Sequence, residues 1–170
     1  MKIFNLLFLT LSVVLFLPAA TLAQNSSLID VFGDWSAFAQ KQDGKPVCYI
    51  GSEPVKSAGN YSKRGDVLFL VTHRPADKAN SVINFQAGYT FKTGTDVKLF
   101  IGDATFSLFT DGGDAWALDS KSDKAIVLAL IKGAKMILKG TSARGTKTTD
   151  TFSLKGFTAA FKAASKACKL

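Results

Sequence analysis

Alternating apolar and polar residues occupy most of the chain, and this spacing of two is the pattern of half-buried β-strands. The segments 35–39, 47–51 and 82–87 show it, and the turn residues Asp43-Gly44 between the first two predict a hairpin. The segment 67–72 is apolar on both faces, which predicts a strand at the centre of the sheet. Short strands joined by tight turns favour antiparallel pairing over parallel crossovers.

Two segments show the helical spacing of three and four residues instead. Near the C-terminus an apolar stripe begins after Gly156 and predicts a terminal helix; its members are Phe157, Ala160, Phe161, Ala164 and Cys168. A predicted strand containing Phe152 and Leu154 precedes it. Ser122-Asp123 resembles the start of a shorter helix that ends at Gly133, although the β-branched residues within it leave a strand as the competing interpretation.

These patterns predict a mainly β protein: an antiparallel, sandwich-like domain with a short helix and a C-terminal helix packed on it, with an α+β fold as the alternative. Trp35, Phe157 and Phe161 are the expected core residues, because large aromatic side chains fill such cores. The polar segment 52–65 is rich in turn-forming residues and is predicted to be an exposed loop, and the hydroxyl-rich, basic segment 141–150 is predicted to be a loop.

The first 23 residues have the features of a secretory signal peptide rather than of a membrane anchor. Lys2 gives a cationic start, residues 3–17 form an uncharged apolar run, and small residues lead to an expected cleavage after Ala23. The run is shorter than the ~20 residues that a membrane-spanning helix needs. We expect residues 24–170 to form one domain without a transmembrane segment, in the periplasm, at the cell surface or secreted.

Export would place the two cysteines, Cys48 and Cys168, in an oxidising compartment, where one internal disulfide is the simplest arrangement. Such a bridge would close most of the mature chain into a loop and, on the chain-entropy account, would stabilise the fold by ~4–5 kcal/mol before strain. A reactive free thiol and an intermolecular bridge are the alternatives.

Few residues are available for catalysis. A Ser-His-Asp arrangement would have to use His73, the only histidine, yet the chain has no Gly-x-Ser-x-Gly elbow. His73 has no neighbouring cysteine or histidine that would predict a zinc site. A glycosidase needs two facing carboxylates, but the candidate aspartates lie next to glycine or serine in turn contexts: Asp103, Asp111, Asp114 and Asp119. We therefore predict no catalytic residue, metal or cofactor.

Positive charge is the remaining feature. Cleavage after Ala23 would remove one lysine and lower the formal charge from +8 to +7. Basic residues concentrate in the C-terminal third, where the candidate polyanion-binding residues are Lys132, Lys135, Lys139, Arg144 and Lys147. Such a surface attracts sulfate or phosphate polymers and anionic lipid head groups; the alternative is a solvated basic face. Aromatic residues do not interleave with these positions in the sequence, so we expect no nucleic-acid binding.

Three stretches carry a family resemblance: Phe32-Gly33-Asp34-Trp35, Pro46-Val47-Cys48, and Asp150 to Phe157 before the last helix. They resemble the invasion-associated locus B family of exported bacterial proteins. The resemblance implies a mainly antiparallel β domain with a C-terminal helix, in the periplasm or at the cell surface, in a family linked to entry into host cells. It brings no catalytic residues. That family often has a cysteine shortly after the Gly-Asp-Trp, where this chain has Phe38, so the pairing of Cys48 with Cys168 rests on the cysteine count.

We therefore predict an exported, monomeric, non-catalytic interaction protein of the envelope or cell surface, whose partner is a protein or an acidic surface. One alternative is a hydrolase of envelope polymers that uses aspartates. Another is a structural periplasmic protein without a dedicated ligand. Two convergent carboxylates in a concave pocket would favour the hydrolase.

Overall fold

The computed structural model describes residues 26–170, so the predicted signal peptide lies outside the described residues. This part of the chain forms eleven strands and two α-helices, with a single 3₁₀ turn at Pro75–Asp77. The strands are β1 Ser27–Phe32, β2 Trp35–Gln42, β3 Lys45–Ser52, β4 Lys56–Gly59, β5 Leu68–Arg74, β6 Ala79–Gln86, β7 Val97–Ile101, β8 Ala104–Asp111, β9 Asp114–Trp116, β10 Lys135–Thr141 and β11 Lys147–Ser153. The helices are α1 Ser120–Lys132 and α2 Phe157–Ala167.

The strands form one antiparallel sheet in the order β1-β2-β3-β5-β6-β9-β8-β7-β10-β11-β4. The sheet folds over so that its two halves face each other. Phe69 on β5 and Phe85 on β6 approach Phe152 on β11, with ring centroids 6.1 Å and 6.3 Å apart. All three rings are fully buried. The predicted mainly β, sandwich-like fold with two helices is confirmed.

Two predictions of loops are wrong. Strand β4 lies within the segment 52–65, and β11 begins at Lys147 inside the segment 141–150. Strand β4 has four exposed residues, and its Ser57 Oγ donates to the Asp150 carboxylate of β11 at 2.7 Å. On β11, the inward residues Thr148 and Asp150 are polar and buried. A strand whose inward residues are polar lacks the apolar alternation that predicts strands.

Local sequence explains the turns and the first helix. Asp43 and Gly44 both have positive φ, 51° and 76°, as a two-residue hairpin turn requires. Helix α1 forms where the competing interpretation was a strand. The Asp119 side chain caps it by accepting the Ser122 N–H at 2.7 Å, and Gly133 ends it.

Trp35 lies where the first hairpin meets the end of β11. Its ring packs edge-on against Phe157 of α2 and Phe69 of β5, with centroid distances of 4.9 Å and 6.3 Å. Its indole N–H donates to the Ser153 carbonyl at 2.9 Å, so the buried polar atom is satisfied. Trp35 and Phe157 are fully buried, and Phe161 is half-buried against the same core.

Backbone contacts hold the start of α2 against the β1–β2 turn. The Asp34 N–H donates to the Lys155 carbonyl at 3.0 Å. Gly156 has φ +93°, and a Cβ there would lie 1.7 Å from the Phe32 carbonyl oxygen. Only glycine fits this crossing. Two of the three stretches that carry the family resemblance therefore touch each other, which gives them a structural role.

A disulfide joins Cys48 on β3 to Cys168, which follows α2, across a sequence separation of 120 residues. Both cysteines are buried. The bridge fixes the C-terminal end of α2 to the sheet, while the contact at Gly156 fixes its N-terminal end. Across residues 26–170, neither helix has the length and apolar content of a membrane span.

Candidate functional site

A row of lysines covers the outer surface of one half of the sandwich. On β7, β10 and β11, residues such as Leu99, Leu138 and Phe152 point inward and are fully buried, so the alternate residues face outward. The outward lysines of this half of the sheet are Lys56, Lys98, Lys135, Lys139 and Lys147, and we call them the lysine face. No carboxylate occupies an outward position of β4, β7, β10 or β11.

At the centre of the lysine face, Lys98 and Lys139 are cross-strand partners. Lys98 Nζ donates to Ser107 Oγ at 2.6 Å and lies 4.0 Å from the Asp96 carboxylate, which is itself half exposed. Lys139 Nζ lies 5.2 Å from the centroid of the Phe100 ring, a cation–π contact. Like charges on directly opposed residues destabilise a sheet, so this pair is not explained by stability.

Three of the five predicted basic residues lie on the lysine face: Lys135, Lys139 and Lys147. The other two lie elsewhere. Lys132 is the exposed last residue of α1, and Arg144 is in the turn between β10 and β11. Arg144 therefore does not lie on the lysine face, although it is close in sequence to Lys139 and Lys147.

Lys56 and Lys98 were missed by the sequence interpretation. They belong to β4 and β7, which are far from β10 and β11 in sequence but adjacent in the sheet. The outward alternation of β7, with Lys98 between the apolar residues Val97 and Leu99, is a signal that could have identified one of them.

A cavity of about 590 Å³ opens beside the β10–β11 turn. Three segments line it: the loop before β5, the segment after β6, and the β10–β11 turn with the start of β11. The lining residues are Asn60, Tyr61, Ser62, Lys63, Arg64, Gly65, Gly88, Tyr89, Thr90, Ser142, Ala143, Arg144, Thr146 and Thr148. Three are cationic, several carry hydroxyl groups, and none is a carboxylate.

A buried ion pair forms one wall of this cavity. Arg64 donates from both terminal nitrogens to the Asp150 carboxylate at 2.7 Å and 2.8 Å, and the two side chains are 5% and 1% exposed. Arg64 Nε also donates to the Ala87 carbonyl at 2.6 Å. Burial opposes the charge of Arg64, but the hydrogen bonds and negative charge of Asp150 outweigh it and raise the guanidinium pKa. Arg64 therefore stays charged, and its hydrogen bonds to Asp150 and Ala87 fix the loop that carries it.

Two tyrosines lie over the Arg64 guanidinium. Its central carbon is 5.4 Å from the centroid of the Tyr61 ring and 4.9 Å from that of Tyr89. The Tyr89 hydroxyl shares a 2.6 Å hydrogen bond with Thr148 Oγ1. Burial raises the pKa of Tyr89, against the lowering effect of the Thr148 hydrogen bond and the Arg64 charge, so its hydroxyl stays neutral. Tyr61 is 37% exposed and lines the cavity.

Comparison with known proteins gives the family. The model of the invasion associated locus B (IalB) protein family matches residues 35–165. The chain belongs to the IalB family. The matched range includes Trp35 and Phe157 at the start of α2, which pack against each other.

The fold is also similar to that of a solved structure. The crystal structure of invasion associated protein B from Bartonella henselae superposes with a TM-score of 0.59 at 22% sequence identity. The match covers 84% of this chain and 98% of that chain. A comparison with curated proteins found no match.

The histidine of this IalB family member lies in the core and not in the cavity. His73 is 2% exposed, and its Nδ1 accepts the Ser81 N–H at 3.2 Å. The ring proton is therefore on Nε2, which lies 3.2 Å from Ser165 Oγ and donates to it. Burial lowers the pKa of His73. Both ring nitrogens serve structural hydrogen bonds, so the residue is not placed to act as a base.

The acids considered for catalysis in this IalB protein do not reach the cavity. Asp103 lies in the β7–β8 turn, Asp111 and Asp114 flank the β8–β9 turn, and Asp119 caps α1. Among residues 26–170 there is no group of three or more histidine, cysteine or acidic residues that could hold a metal ion.

Two other depressions each contain a pair of acids: Asp34 with Glu53, and Asp43 with Asp77. All four side chains belong to exposed residues, and Asp77 lies 3.7 Å from Lys45 Nζ. A carboxylic acid that protonates a glycosidic oxygen needs an environment that raises its pKa. These exposed pairs give no support to the hydrolase alternative.

Proposed function

We propose that this IalB family member is an exported, non-catalytic interaction protein that binds polyanionic surfaces through the lysine face. The observation that carries the proposal is the gathering of five lysines on outward positions of adjacent strands, with no carboxylate on the outward positions of β4, β7, β10 and β11. A surface of one charge sign attracts polymers of the opposite sign and concentrates them before contact.

The geometry of the face supports a repeating ligand. Neighbouring strands of a sheet lie ~4.8 Å apart, so Lys98 and Lys139 present their ammonium groups on adjacent strands, and Lys135 adds a third one further along β10. Phe100 and Ile137 lie between these lysines as a half-buried apolar centre. Sulfated polysaccharides and anionic membranes carry closely spaced charges of this kind.

Export, processing and assembly belong to the same proposal. The cationic, apolar and small-residue pattern at the N-terminus favours cleavage near Ala23, and a Cys48–Cys168 disulfide is typical of an oxidising compartment. We propose a monomer in the periplasm or at the cell surface, as a single domain over residues 24–170. We propose a sulfated polysaccharide, an anionic membrane or an acidic protein surface as its partner, and we keep the expectation that it has no nucleic-acid partner.

Salt-dependent retention on a heparin column tests this proposal. The triple variant Lys98→Gln/Lys135→Gln/Lys139→Gln removes the centre of the lysine face. We expect it to elute at clearly lower salt than the wild type, because each neutralised contact removes a screened attraction. Vesicles containing anionic lipid, compared with neutral vesicles, give the membrane arm of the experiment.

A matched control separates the face from net charge. The triple variant Lys121→Gln/Lys124→Gln/Lys162→Gln makes the same change in charge on exposed positions of the two helices. We expect it to elute close to the wild type. Equal shifts for both triple variants would mean that net charge, and not the lysine face, causes retention, and the proposal would fail.

A further inference from the structure

We propose that the cavity beside the β10–β11 turn is a binding site for a sugar unit that carries a phosphate or sulfate group. This inference goes beyond the proposed function, because the cavity residues are not those of the lysine face. It rests on three features of the cavity: its uncompensated charge, its fixed walls, and its mixture of hydroxyl groups and an exposed aromatic ring.

The charge of the cavity is positive and unpaired. Of its three cations, Arg64 is neutralised by Asp150, whereas Lys63 and Arg144 form no salt bridge within residues 26–170. Both line the cavity from different segments, Lys63 from the loop before β5 and Arg144 from the β10–β11 turn. A guanidinium fork and an ammonium group together are suited to the oxygens of a tetrahedral anion.

The walls are fixed by backbone contacts. The Gly65 N–H donates to the Gly88 carbonyl at 2.9 Å. Gly88 has φ +69°, and a Cβ there would lie 2.3 Å from the Gly65 carbonyl oxygen, so the two segments touch through their main chains. The Ala143 N–H donates to the Thr90 carbonyl at 2.8 Å, which fixes the turn that carries Arg144. A site formed before binding loses little conformational entropy when a ligand enters.

The rest of the lining suits a polyhydroxyl ring. Ser62, Thr90 and Thr146 line the cavity, and their hydroxyl groups can both donate and accept hydrogen bonds. Tyr61, 37% exposed, adds an aromatic ring with a hydroxyl tip to the lining. At about 590 Å³, the cavity lies within the ~300–1,000 Å³ range of small-molecule sites and is much larger than one anion needs.

Isothermal titration of the purified mature chain tests the site with glucose 6-phosphate, glucose 6-sulfate, glucose and inorganic phosphate. We expect both anionic sugars to bind, and each to bind at least about tenfold more tightly than glucose or inorganic phosphate, because each part of the ligand adds contacts. No binding of either anionic sugar, or equal binding of inorganic phosphate, would overturn the proposal.

The double variant Lys63→Gln/Arg144→Gln assigns the binding to this cavity. We expect it to weaken binding of the anionic sugars by roughly tenfold or more, with an unchanged melting temperature because both side chains are exposed and unpaired. The control Lys121→Gln/Lys124→Gln changes the charge equally and is expected to bind like the wild type. Equal affinity of the Lys63/Arg144 variant and the wild type would refute the site.

A sulfated heparin disaccharide, added as a further arm, distinguishes a unit of a surface polysaccharide from a free sugar phosphate. Tighter binding of the heparin disaccharide than of glucose 6-phosphate would indicate a surface polysaccharide as the source, and the reverse order would indicate a free sugar phosphate. The lysine-face variant Lys98→Gln/Lys135→Gln/Lys139→Gln keeps every cavity residue, so we expect its affinity for glucose 6-phosphate to be unchanged. Failure of the cavity and failure of the lysine face are therefore distinguishable.

Discussion

The Arg64–Asp150 pair gives a sharp test of how the cavity wall is held. In Asp150→Asn, an NH₂ group replaces one of the two carboxylate oxygens that accept from Arg64 at 2.7 Å and 2.8 Å, and the negative charge is lost. The Arg64 side chain, 5% exposed, is then a buried cation without a counter-ion. Breaking one half of a buried pair costs ~3–5 kcal/mol.

Urea unfolding followed by tryptophan fluorescence measures this loss. For a domain of this size, we expect the free energy of unfolding to fall by ~3–5 kcal/mol and the melting temperature to fall by roughly 6–20 °C. The double variant Arg64→Met/Asp150→Leu removes both charges and keeps a similar volume. We expect it to lose less than Asp150→Asn, because no unpaired charge remains in the interior.

Two outcomes would show that the ion pair does not hold the cavity wall in this way. A loss below ~1 kcal/mol in Asp150→Asn would mean that the Arg64–Asp150 pair contributes no more to the free energy of unfolding than an ion pair on the protein surface does. A double variant less stable than Asp150→Asn would show that an unpaired Arg64 charge is not the cause of the loss.

Three further predictions concern the rest of the fold. Gly156→Ala should prevent normal folding or lower the melting temperature severely, because its Cβ would lie 1.7 Å from a backbone oxygen. The control Gly44→Ala is also at positive φ but has nothing within 4 Å, so it should cost only the ~1–2 kcal/mol of backbone strain. Similar circular-dichroism melts for the two variants would contradict this. Since burial lowers the pKa of His73, its contribution to stability is complete above the ordinary value of 6.5 and is lost as the pH falls below it. Melting temperatures at pH 5–8 should therefore fall on the acid side in the wild type and less in His73→Gln, and parallel curves would refute this. Replacing both Cys48 and Cys168 by serine should lower the free energy of unfolding by at most ~5 kcal/mol for a 120-residue separation. The circular-dichroism spectrum at low temperature should be the same as that of the wild type. An unfolded spectrum at low temperature would count against this prediction.

Sequence patterns predict those elements whose inward residues are apolar. Helix α2 has a buried stripe of Phe157, Ala160 and Ala164, and its spacing was sufficient to predict it. Strand β5 was likewise predicted as central from apolar residues on both faces, and it lies between β3 and β6. Hydrophobic burial is the dominant force in both cases, so the pattern and the structure agree.

Elements whose inward-facing residues are polar are not predicted by a pattern of apolar residues. The start of β11 turns Thr148 and Asp150 inward, and these residues are satisfied by Tyr89 and Arg64, which come from segments about 60 to 90 residues away. Nothing near them in the sequence indicates those partners. For the same reason the cavity was not predicted, since its walls meet only in three dimensions.

The lysine face was predicted in part. Lys135, Lys139 and Lys147 are close in sequence, and a local count of charge found them. Lys98 joins them only because β7 pairs with β10, a register that depends on the packing of the whole sheet. Arg144 was grouped with them by proximity in sequence, although the chain reverses direction there and directs it to the cavity.

The core around Trp35 can form only after the N-terminal strands have met residues near the C-terminus. Its indole bonds to a carbonyl 118 residues later, and the disulfide joins positions 120 residues apart. A ribosome would have to release nearly the entire polypeptide before the first hairpin could find these partners. Contacts this remote also slow folding, so the tertiary structure is completed only after most of the chain has been made.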